Sequence, residues 1–84
     1  MATEYTAAQR ERDEGLSRAV RRALYEQPVL QEQPLEAIAC QGVVELRGTV
    51  PTADLREFAE QQAMAAPGVS RVVNHIQIDR AHRA

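Results

Sequence analysis

The stretch from Leu35 to Val50, LEAIACQGVVELRGTV, constrains the fold most, because it reads as a two-stranded hairpin with its register built in. Val43-Val44-Glu45-Leu46-Arg47 is rich in β-branched and apolar residues, and Gly42 supplies the positive φ of a tight turn. With Gln41 and Gly42 as the two loop residues, Cys40 faces Val43, Ala39 faces Val44 and Ala37 faces Leu46. Side chains alternate along a strand, so one face then carries Leu35, Ala37, Ala39, Val44 and Leu46. That set is wholly apolar, and its small alanines admit a closely packed helix; it is the expected core face. Glu36, Ile38, Cys40, Val43, Glu45 and Arg47 take the other face. A loop one residue longer would reverse the assignment.

The flanks supply covering helices. Thr6-Ala7-Ala8-Gln9 fits a capping box, but a helix begun there puts Gln9, Arg12 and Asp13 on its inward stripe. Residues 1–12 are therefore expected to form a frayed or protruding segment. The first secure helix is expected from Asp13, as N-cap, to Gln27, where Pro28 ends it. Its apolar stripe is Leu16, Ala19, Val20, Ala23 and Leu24. Val29 to Pro34 reads as a loop, with Val29 and Leu30 tucked against the core. A second helix opens at Thr52, with Asp54 in its first turn, and buries Leu55, Phe58, Ala59, Ala63 and Ala66 before Ala-Pro-Gly at 66–68 stops it. Val69 to Asp79 is a third strand, with Val72, Asn74, Ile76 and Ile78 on one face and Val73, His75 and Gln77 on the other. Residues 80–84 read as a disordered charged tail, which leaves 13–79 as the domain. The order αββαβ makes an α+β two-layer sandwich: two helices on one face of a three-stranded mixed sheet, strand three parallel to strand two and lying beside either strand two or strand one.

Eighty-four residues make one small domain, and a net charge of −2 gives no global basic field for nucleic acid. No apolar run approaches the roughly 20 residues of a membrane span. The first residues lack the apolar core of a signal peptide. With Met1 as the native start a cytoplasmic location is expected; an excised piece of a secreted protein would be periplasmic or envelope-bound.

The pattern resembles the BON domain, a small bacterial module, over roughly Asp13 to Asp79. The resemblance rests on Ala23-Leu24 before Gln27-Pro28, on Gln41 through Val50 (QGVVELRGTV), on Ala59 and Ala63, and on Pro67-Gly68-Val69 followed by Val72-Val73-Asn74. It implies an αββαβ fold and a non-enzymatic role. Modules of this kind are described as phospholipid-binding or membrane-associated. The shared glycines, Gly42, Gly48 and Gly68, look like backbone positions rather than binding groups.

Two surfaces are candidates for function. Arg18, Arg21, Arg22 and Tyr25 fall on one side of the first helix, where guanidinium groups suit anionic lipid phosphates and a tyrosine suits the interface. Glu14 could pair with Arg18 and Glu26 with Arg22, which would make this an ordinary solvated face. Ile38, Cys40, Val43 and Val73 form the other candidate, an apolar patch on the uncovered side of the sheet that a homodimer would protect. Cys40 has no motif of a nucleophile around it, and His75 and His82 lack partners at metal-ligand spacing. No GxxG loop exists, and three aromatics cannot make a stacking platform for nucleic acid. No catalytic residue, metal, cofactor or small-molecule substrate is expected. The leading expectation is a non-catalytic binding and assembly module at an anionic phospholipid surface or within an envelope complex. The alternative is a structural self-association unit with no lipid role.

Overall fold

A computed structural model describes residues 5–79. The expected tail at 80–84, with His82, lies outside the described residues. The elements run α1 (Ala7–Tyr25), α2 (Pro28–Gln31), β1 (Leu35–Cys40), β2 (Val43–Val50), α3 (Ala53–Ala65) and β3 (Arg71–Ile78). The sheet order is β1-β2-β3, with β1 antiparallel and β3 parallel to the central β2. Helix α1 lies over β1, and α3 lies over β3 and β2. The αββαβ sandwich is therefore the architecture, with a four-residue helix added between α1 and β1.

The hairpin has the register its turn dictates. Cys40 pairs with Val43, Ala39 with Val44 and Ala37 with Leu46. Gln41 at φ 53 and Gly42 at φ 84 both take positive values, as a type I′ turn requires. The Gly42 carbonyl accepts the Ser70 and Arg71 N–H groups and the Ser70 hydroxyl, which ties the turn to the start of β3. At the hairpin's far end, Gly48 has φ 136, and a Cβ there would lie 2.1 Å from the Pro34 carbonyl oxygen. Only glycine lets these two backbone segments approach this closely.

The core forms on the expected face. Leu35, Ala37, Ala39, Val44, Leu46 and Val50 are buried against Val20 and Leu24 of α1, Leu30 of α2, and Ala59, Ala63 and Ala66 of α3 and its cap. Small alanines on both layers bring helix and sheet close together. Burial of a side chain such as Leu46 or Val44 contributes about 1.5–3 kcal/mol.

Helix α1 departs from expectation at its start. It is one helix from Ala7, capped by Thr6, whose hydroxyl accepts the Gln9 N–H while the Gln9 side chain accepts the Thr6 N–H. Asp13 is thus not an N-cap but lies within the helix. The inward stripe is rotated as well: Asp13, Ser17, Val20 and Leu24 are buried, Leu16 and Ala23 half-buried, and Ala19 exposed. Asp13 and Ser17 pack here because each meets a backbone donor of the hairpin. The helix ends at Tyr25, two residues short of Gln27, and Pro28 begins α2, where a proline at the first helical position loses nothing. In the connecting segment Leu30 is buried, but Val29 is exposed rather than tucked in. β3 begins at Arg71, not Val69, because the Val69 N–H turns back to the Ala66 carbonyl.

Candidate functional site

The outer edge of β1 faces α1, and the two meet through hydrogen bonds. The Ala39 N–H donates to Ser17 Oγ at 2.9 Å, and the Gln41 N–H donates to Asp13 Oδ1 at 2.8 Å. The Tyr5 hydroxyl donates to the other Asp13 oxygen. These contacts set two titrations. The Asp13 carboxyl is held below its ordinary range, first by the Tyr5 hydrogen bond and then by the Gln41 N–H, with burial opposing both. Tyr5 is pushed up to about 12, chiefly because its hydroxyl donates to a carboxylate. The Arg10 guanidinium lies 5.9 Å from the Tyr5 ring centre, within cation–π range.

The other edge is closed differently. Asn74 of β3 donates to the Arg56 carbonyl and to Glu60 Oε1 of α3, while its own side-chain oxygen accepts the Ile76 N–H. Asn74, in the middle of β3, thus satisfies backbone groups of both α3 and its own strand. Arg56 and Glu60 both turn to Asn74 instead of forming the i, i+4 pair that their spacing permits.

Arg18, Arg21, Arg22 and Tyr25 are all exposed on α1. The anticipated pairs Glu14–Arg18 and Glu26–Arg22 do not form. Among the described residues, the contacts within 4 Å between a basic nitrogen and a carboxylate are Arg47–Glu45 and His75–Glu45, and neither involves α1. Arg21 reaches back with Nε to the Ser17 carbonyl at 3.3 Å. Together with Tyr25 it forms one wall of a groove whose other wall is Leu35, Glu36, Ala37 and Ile38 of β1.

On the bare side of the sheet, Ile38 is 46% exposed, Cys40 is exposed, and Val43 and Val73 are half-buried. The pairing puts Glu45 of the central strand between Ile38 and Val73. Its carboxylate takes Arg47 at 2.9 Å and His75 Nε2 at 3.2 Å, so a polar cluster interrupts the apolar patch.

A family model for the BON domain matches residues 12–80. The chain belongs to the BON domain family. No curated protein matches it. BON domains are generally non-catalytic modules associated with membranes and phospholipids. In this BON domain the matched segment takes in α1 from Arg12 onward, the hairpin, α3 and β3, the elements that frame both candidate surfaces.

Two participants escape sequence reasoning, Ser17 and Tyr5. Ser17 stands four residues after Asp13, and that spacing of short polar side chains on an inward stripe was the available signal. Nothing local marks Tyr5, because its partner is eight residues away on the far side of the helix start.

Proposed function

We propose that this BON domain is a non-catalytic binding module that attaches to anionic phospholipid surfaces through Arg18, Arg21, Arg22 and Tyr25 of α1. The observation that carries the reading is that all four side chains are exposed on one helix and the arginines make no ion pair with Glu14 or Glu26. Near an anionic surface each arginine contributes about 1 kcal/mol, so three give about 3 kcal/mol, an attachment that salt weakens. Sedimentation with vesicles of graded phosphatidylglycerol content tests it. Pelleting is expected at low salt and should fall as arginines become glutamine. No pelleting on anionic vesicles at low salt would end the reading.

The exposed Ile38 and Cys40 favour a second reading, homodimerisation through the bare sheet face. Light scattering of Ile38→Glu checks it: a dimer mass that drops to the monomer's supports the face as an interface, and an unchanged mass removes it.

A further inference from the structure

We propose that the groove between α1 and the lower outer edge of β1 seats one phosphodiester headgroup, held jointly by the Arg21 guanidinium and the Ala37 N–H. The inference rests on the membrane reading above and adds an atomic seat to it.

The argument is one of matched repeats. Successive outward-facing residues of a strand lie two apart, about 6.8 Å. Residues four apart on a helix rise about 6.0 Å. Asp13, Ser17 and Arg21 therefore run alongside Gln41, Ala39 and Ala37 nearly in step. At the first two positions the helix offers an oxygen and the strand an N–H, and each pair bonds. In an antiparallel ladder the outward N–H groups recur at every second residue. Ala37 thus presents its N–H on the side that Ala39 does. The third helical position is Arg21, a donor. A donor on the helix now faces a donor on the strand, and no side chain among the described residues accepts from Ala37. An anion accepts from both and completes the series that a carboxylate and a hydroxyl begin.

The surroundings select the anion. Arg21 Nε is anchored on the Ser17 carbonyl, so its terminal nitrogens remain to donate. Tyr25 stands one turn further along the same wall and adds a phenol. The Tyr25 carbonyl, a free helix-end acceptor that would repel an anion, already takes the Gln31 side-chain N–H at 2.8 Å. The groove has a volume of about 430 Å³, and Ile38 and Leu35 give it apolar flanks on which glycerol and acyl carbons can rest. Glu36 also lines it, and its carboxylate disfavours a dianion. A singly charged phosphodiester with an apolar tail meets all of these conditions better than inorganic phosphate does.

Amide NMR of the full chain tests the seat. Dihexanoyl phosphatidylglycerol, added below its micelle concentration, is expected to move the Ala37 amide proton downfield in a saturable way, with inorganic phosphate moving it less. Arg21→Gln should abolish the shift, and Tyr25→Phe should weaken binding about threefold. On vesicles Arg21→Gln should cost about tenfold in affinity against about fivefold for Arg18→Gln. An unmoved Ala37 amide, or an Arg21→Gln defect no larger than that of Arg18→Gln, overturns the seat. An equal response to inorganic phosphate overturns its assignment to a diester. Vesicle pelleting with Ala37 unmoved keeps the attachment and removes the seat. An Ala37 shift without pelleting keeps the seat and removes the attachment.

Discussion

The outer edge of β1 has two halves, and α1 treats them differently. At Ala39 and Gln41 each outward N–H is bonded to a helical side chain; at Ala37, Arg21 and Tyr25 leave a groove. An unpaired strand edge is a template for unwanted pairing. Here the helix seals one half with short acceptors at i, i+4 spacing and leaves the other open with a long donor. The same device thus both protects an edge and, by the change of one residue type, makes a recess. It also leaves little edge free for a second copy to join by strand addition.

The comparison breaks most readily at the hairpin's far end. Gly48→Ala places a Cβ against the Pro34 carbonyl and holds alanine at φ 136, and it should lower unfolding stability in urea by about 3 kcal/mol or more. Ser17→Ala removes the acceptor of a buried N–H and should cost about 1–3 kcal/mol in the same measurement. Arg21→Ala, one position on in the series, has no such bond with the strand to lose and should stay within about 0.5 kcal/mol. Hydrogen exchange sharpens the contrast without mutation: the Ala39 amide should exchange slowly and the Ala37 amide faster.

The smallest effects are in pH dependence. Asp13 has a lowered folded pKa, so the stability it supplies is complete above its ordinary value of 3.8 and is lost as pH falls through the folded value. Tyr5 has a raised folded pKa, so its contribution is complete below 10.0 and is lost as pH rises towards about 12. Denaturation midpoints across both ranges should show these limbs. Tyr5→Phe should remove the alkaline limb and weaken the acid one.

Much of the architecture was legible in local pattern. The positive-φ turn at Gln41-Gly42 sets the register, and alternation then assigns Ile38 and Cys40 outward and Ala37 and Ala39 inward. Thr52 as a helix cap was readable for the same reason, since its hydroxyl accepts the Leu55 N–H only three residues on. The capping box at Thr6 was equally visible. It conflicts with an inward stripe of Gln9, Arg12 and Asp13 only where a buried carboxylate meets no donor, and Asp13 meets the Gln41 N–H. Periodicity picks out both candidate surfaces, but not that Glu45 interrupts one or that Arg21 and Ile38 share a groove.

By itself, then, the chain's order of residues determined its strands, its turn, its covering helices and which side of the sheet is greasy. These follow from steric and periodic rules acting over a few residues. Tertiary structure alone decided that Asp13 and Ser17 belong inside, that β3 lies beside β2, and that Arg21 and Ala37 line one groove. A buried polar group is tolerated or refused according to its partner, and those partners stand 22 and 28 residues away along the chain.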